Sequence, residues 1–146
     1  MPIYAGQKVT AGQLNRLQPR TFDAVGTTTQ AGPLTDADVT GATVTFTTTT
    51  ANAVAVVYTT FDFDFTSATT TIGSGRLNVD GVGEGRYAVF GQGPGNGSDR
   101  STVGQSYRVT LGAAGSHTLK LTVSAPTGMS LQGVYTSLVA TVYEVV

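Results

Sequence analysis

Beyond Arg20, apolar and polar residues alternate with a period of two along most of the chain, the signature of half-buried β-strands. From Val57 to Phe65 the odd positions are apolar or Thr, while Asp62 and Asp64 fall on the opposite face. This phase predicts Phe61, Phe63 and Phe65 as core. The same alternation points Val44 and Phe46 inward within 42–49, Leu77 and Val79 within 76–80, and Tyr87 and Val89 within 86–90. Tyr107, Val109 and Leu111 follow it with Arg108 and Thr110 outward, and Leu119, Leu121 and Val123 follow it with Lys120 and Thr122 outward. The Gly-rich residues 112–116 between the last two runs read as a hairpin connection, and Asp80-Gly81 reads as a turn.

Two runs are apolar on both faces. Val54, Val56 and Tyr58 lie on the nominally outer face of the long strand, and the closing run 134–146 is apolar on both sides in its second half. A small antiparallel sandwich has one core and uses one face of each strand. The surplus face is therefore expected against another copy of the chain, with Val54, Val56, Tyr58, Val139, Tyr143 and Val145 as candidate interface residues.

The front of the chain departs from this pattern. Residues 9–19 read as a two-turn helix: Thr10 and Gln13 have capping-box spacing, Leu14 and Leu17 share a face, and Pro19 ends it. So short a helix needs a docking partner. It either covers the open end of its own domain or anchors the subunit to a larger assembly, with Val9, Leu14 and Leu17 as candidate anchoring residues. The expected organisation is an arm over 1–19 and one β-sandwich over 20–146. Within the latter, 20–41 reads as a strand plus a linker-like loop, and 91–100 as a long surface loop. The predicted class is an all-β, antiparallel two-sheet sandwich of about seven strands, with jelly-roll or related topology. No repeat with a fixed period is present, which sets solenoids and propellers aside.

Composition sharpens this picture. The chain has 146 residues, enough for one domain, with 26 Thr and 19 Gly against two Glu and two Lys. Stiff β-branched side chains and turn-forming glycines favour sheets. The absence of cysteine excludes disulfides and thiolate metal sites. Eight basic and nine acidic residues give a net charge of −1, which leaves no basic footprint for nucleic acid or an anionic membrane. No apolar run approaches a membrane span, and the opening residues lack the basic-then-apolar order of a signal peptide. The expectation is a chain without membrane insertion, nucleic-acid binding or a classical export signal.

Candidate chemistry is sparse. A Ser-His-acid arrangement needs a base, and His117 is the only histidine; its place after a Gly-rich connection reads as a half-exposed turn residue at a sheet edge. Asp62 and Asp64 could form a carboxylate pair, yet two aspartates on one strand read more simply as a solvated face. Asp36 and Asp38 hint at a calcium site, without the Asp-x-Asp-x-Asp-Gly loop that would support one. The glycine-rich segments 81–85 and 91–97 lack the lysine and following helix of a phosphate cradle. No enzyme activity and no cofactor are expected. Exposed loops on a rigid scaffold do favour recognition, which makes Asn96, Ser98, Asp99 and Arg100 the candidate recognition loop. Tyr58, Tyr87, Tyr107 and Tyr135 could offer ring faces to sugars, so a carbohydrate-binding module is the alternative reading.

The opening Tyr4-Ala5-Gly6-Gln7-Lys8-Val9-Thr10-Ala11-Gly12-Gln13-Leu14-Asn15-Arg16-Leu17 resembles the short segment, of the form Gly-x-x-Val-Thr-Ala-x-x-Leu-Asn, that heads many small structural proteins of tailed bacteriophages, notably those infecting actinobacteria. The stretches Val39-Thr40-Gly41-Ala42-Thr43-Val44-Thr45-Phe46 and Leu77-Asn78-Val79-Asp80-Gly81 are similar in style to the sandwiches that follow in such proteins. Gly115-Ser116-His117-Thr118-Leu119-Lys120-Leu121 also looks like the penultimate strand of trimeric sandwiches of the tumour-necrosis-factor or C1q type. The resemblance implies a virion component: a minor tail or fibre protein or a head decoration subunit, assembled as a homotrimer. The arm would engage other virion proteins, and a host-surface glycan would be a further partner. It implies no catalytic residues.

Overall fold

The computed structural model describes residues 8, 10–65, 71–92 and 99–144. A helix α1 (Ala11–Leu17) precedes eleven strands: β1 (Arg20–Val25), β2 (Thr29–Ala31), β3 (Leu34–Thr48), β4 (Ala53–Phe65), β5 (Thr71–Val79), β6 (Val82–Gly83), β7 (Ala88–Gln92), β8 (Arg100–Leu111), β9 (Gly115–Ala125), β10 (Met129–Gln132) and β11 (Ser137–Tyr143). A 3₁₀ turn (Gly133–Tyr135) joins the last two. All pairing is antiparallel.

In the first sheet β4 is paired along one edge by β8 and along the other by β11 and then β10, with β1 and β2 outside these. The second sheet runs β3-β9-β5, with β6 and β7 both on β5. The orders β1-β11-β4-β8 and β3-β9-β5-β7, with the chain crossing repeatedly between sheets, are those of a jelly roll.

The core lies between the sheets, as the alternation predicts. Phe61, Phe63, Leu138, Ala140, Leu77, Leu119, Leu121 and Val123 are all fully buried. Gly73 and Gly75 face inward on β5, and their missing side chains make room for β4. A Cβ on Gly75 would lie 2.3 Å from the Phe61 ring, and one on Gly73 2.9 Å from the ring of Phe63. The aromatic layer continues through Phe90, whose ring centroid is 6.3 Å from that of Phe63 and 5.2 Å from that of Phe65.

Several expectations need correction. Tyr87 and Val89 are exposed, and the inward residues of β7 are Ala88 and Phe90. Every residue from Tyr87 to Phe90 is apolar or aromatic, so alternation could not fix the phase. Residues 112–116 are not a hairpin: β8 pairs with β4 in one sheet and β9 with β3 and β5 in the other, so this connection crosses the sandwich. The linker-like stretch up to Gly41 is mostly strand. β3 starts at Leu34, with register shifts against β9 between Leu34 and Ala37 and between Asp38 and Thr43. Those irregularities break the alternation and made a strand look like a loop.

Candidate interaction surface

The outer face of the first sheet gathers the predicted interface residues. Cross-strand register sets Thr110, Val54 and Tyr143 in one row, Arg108, Val56 and Thr141 in the next, and Ser106, Tyr58, Val139 and Asp23 in a third. Tyr58 is 62% exposed, Tyr143 47% and Val139 40%, while Val54 and Val56 are half-buried between them. Val145 lies outside the described residues. Contiguous apolar side chains on a sheet face make a surface that association with another apolar surface would stabilise. A shallow depression runs across this face beside Tyr58, lined by Thr60, Gly104, Gln105 and Ser106.

Toward the other end the same face becomes polar. Asp62, expected on a solvated face, is 5% exposed. Arg100 Nε donates to its Oδ1 at 2.6 Å, and Thr102 Oγ1 donates to its Oδ2 at 2.7 Å. The neighbouring strand β8 supplies both partners, and a buried carboxylate is tolerated only with such pairing. The hydrogen bond to Asp62 is also the main reason that the Arg100 guanidinium is held more firmly in its charged form than usual. That guanidinium lies 4.3 Å from the ring centroid of Tyr135, which is itself 58% exposed. Beneath them Thr136, fully buried, accepts from the Asp62 N–H at 3.1 Å and donates to Gln132 O at 3.1 Å. Asp64 is half-buried and accepts from Gln132 Nε2 at 3.1 Å.

The candidate recognition loop is therefore only partly a loop. Arg100 opens β8 and is bound to β4, while the exposed Asp99 lends its carbonyl to the Phe65 N–H at 2.9 Å. Asn96 and Ser98 lie outside the described residues. Of the candidate anchoring residues, Leu14 is 53% exposed on α1, whereas Val9 and the Leu17 side chain lie outside the described residues, as does the Gln13 side chain of the capping box.

His117 is neither half-exposed nor at an edge. It is 6% exposed on β9, which runs between β3 and β5. Its Nε2 donates to Ala113 O at 3.1 Å, and its Nδ1 lies 2.7 Å from Asp80 Oδ2. It thus ties the β8–β9 crossing to the Asp80-Gly81 turn, where both residues have positive φ. Burial raises the Asp80 carboxyl, but the bonds from His117 and from the Thr118 N–H, 2.7 Å away, outweigh it and hold it below the usual range. Glu144 forms a similar knot that alternation gave no hint of. Its carboxylate accepts from Arg20 Nη2 at 2.5 Å, from the Thr49 N–H at 2.8 Å and from the Thr49 hydroxyl. Burial again pushes up, and the Thr49 bonds with Arg20 bring the net below the usual value.

The outer face of the second sheet carries polar and charged side chains around Arg76 and Lys120, with Ile72 and Val89 exposed beside them. Asp36 and Asp38, the calcium hint, are engaged by cations: Arg76 Nη2 lies 2.7 Å from Asp36, and Lys120 Nζ lies 2.7 Å from Asp38. No group of three or more His, Cys, Asp or Glu suited to a metal occurs among the described residues.

No family model and no curated protein sequence matches this chain. Solved structures do. A chain of dimeric latent PorU from Porphyromonas gingivalis aligns at 14% identity and TM-score 0.49 over 86% of this chain, which spans 13% of that chain's length. The Eiger TNF of S. frugiperda aligns at 14% identity and TM-score 0.54, covering 86% of this chain and 92% of that one. The latter agrees with the strand order above: the fold is a jelly-roll sandwich of the tumour-necrosis-factor kind.

Proposed function

We propose that this chain is a non-enzymatic structural subunit of a bacteriophage particle, a minor tail or fibre protein or a head decoration protein, displayed as a homotrimer. The observation that carries self-association is the exposed apolar face of Tyr58, Val139 and Tyr143 on the first sheet. Such residues are stable in water only at a cost that a second copy removes, at about 25 cal/mol per Å² before the entropy of association is subtracted. The likeness to a TNF sandwich over nearly the full length of both chains supports that reading. The N-terminal segment, which resembles the heads of phage structural proteins, supports the particle assignment and gives the arm its role in attachment.

Light scattering coupled to size exclusion tests the assembly. The native chain is expected at three times its 15.0 kDa mass. The double variant Tyr58→Asp, Val139→Asp is expected at the mass of one chain with an unchanged β-sheet circular-dichroism spectrum. A native mass of one chain at the highest concentration reached overturns the trimer.

A further inference from the structure

We infer that the outer face of the second sheet is a binding site for a neutral, hydroxyl-rich saccharide, centred on Arg76, Asn78 and Thr122. The inference rests on the proposed assembly only in that self-association through the first sheet leaves the second one facing outward.

Register places Asp38, Thr122 and Arg76 side by side across β3, β9 and β5, with Thr43, Lys120, Asn78 and Gly83 in the adjoining row. At the centre of this grid three buried polar atoms have no hydrogen-bond partner: Thr122 Oγ1, Arg76 Nε and Asn78 Oδ1. Thr122 is 4% exposed, and native proteins rarely leave such groups orphaned. Together they are a hydroxyl that both donates and accepts, an N–H that donates and a carbonyl that accepts. Adjacent hydroxyls of a sugar ring, each both donor and acceptor, complement that set.

The surrounding side chains form a built frame. Arg76 is held by Asp36 at 2.7 Å and by Tyr87 Oη at 2.8 Å, with its guanidinium 5.1 Å from the Tyr87 ring centroid. Gly83 leaves space for it, since a Cβ there would sit 2.5 Å from Arg76 Cζ. Asp36 is anchored in turn through its own N–H to Ser124 Oγ at 2.9 Å. The two ion pairs, Asp36–Arg76 and Asp38–Lys120, leave the face with no net charge, which favours a neutral ligand over an anionic one. Alongside runs an exposed apolar rim of Ile72, Tyr87 and Val89, suited to the apolar faces of sugar rings. The orphan atoms are buried in the lone subunit, so a ligand reaches them only when the side chains around them move.

The test is a nuclear-magnetic-resonance titration of the assembled full chain with neutral oligosaccharides of glucose, galactose, mannose and N-acetylglucosamine, and with uronic-acid oligomers as the charged arm. Expected are amide shifts confined to Asp38, Arg76, Asn78, Lys120, Thr122 and their neighbours, produced by a neutral sugar. Thr122→Val and Asn78→Ala should each weaken the apparent affinity about three- to tenfold, the worth of one hydrogen bond. Silence toward every neutral sugar, shifts confined to the first sheet, response to the uronic acids alone, or unchanged affinity in both variants would each overturn the proposal. The oligomeric mass of the same samples separates failure of this site from failure of the trimer.

Discussion

The outer faces of the two sheets share a backbone plan and differ in what they do with threonine, charge and aromatic rings. On the first, Tyr58, Val139 and Tyr143 stand in water, while toward the other end the buried polar groups are matched: Asp62 has two donors, and Thr136 both gives and receives a hydrogen bond. On the second, charges are paired at the surface, yet Thr122, Asn78 and Arg76 keep orphaned atoms beneath them. The first face joins an exposed apolar end to a polar end whose buried groups are satisfied, whereas the second leaves buried polar atoms orphaned beside exposed Ile72 and Val89.

Two of the buried threonines, Thr136 and Thr122, test this contrast most strongly. Thr136→Val removes the acceptor of the Asp62 N–H and should cost about 1–3 kcal/mol in urea unfolding, because a buried donor loses its partner. Thr122→Val removes a hydroxyl that has none, and should be neutral or stabilising by up to about 1 kcal/mol. Equal losses at both sites would erase the distinction between a satisfied and an unsatisfied face.

A smaller effect concerns the ends of the sandwich, which serve both sheets alike. Asp80 and Glu144 have carboxyls held below their usual values, so each stabilises the fold fully above its unfolded-state pKa. That contribution is lost as pH falls through the lower folded-state value. The midpoint of thermal unfolding should therefore drop on acidification below about pH 4, where unfolded aspartate and glutamate begin to bind protons. The drop should be shallower in Asp80→Asn and Glu144→Gln. An unchanged acid slope in both variants would show that these knots are not what acid unties.

Much of the fold was legible because β4, β8 and β9 each bury one face, so period-two alternation names the core outright, from Phe61 to Leu121. It failed where both phases are apolar, as in the short β7, and where irregular register disguises a strand, as in β3. The Gly-rich crossing at 112–116 was ambiguous for a different reason: the residues that close a hairpin also let a chain pass from sheet to sheet. The partly exposed apolar patch on the first sheet was legible for the same reason as the core, since Val54, Val56 and Tyr58 are apolar out of phase. The polar chemistry was not. Asp62 meets Arg100, His117 meets Asp80 and Arg76 meets Asp36 across sequence separations of 38, 37 and 40 residues, which no local pattern encodes.

The most direct measurement of the asymmetry between faces is hydroxyl-radical footprinting of the assembled native chain, read at three tyrosines. In the isolated subunit Tyr58 is 62% exposed, Tyr143 47% and Tyr87 40%. If the first sheet packs against neighbouring copies and the second stays open, that order inverts, and Tyr87 is modified faster than Tyr58 and Tyr143. If modification instead follows the exposures of the lone subunit, the first sheet is not the buried face and the central claim fails.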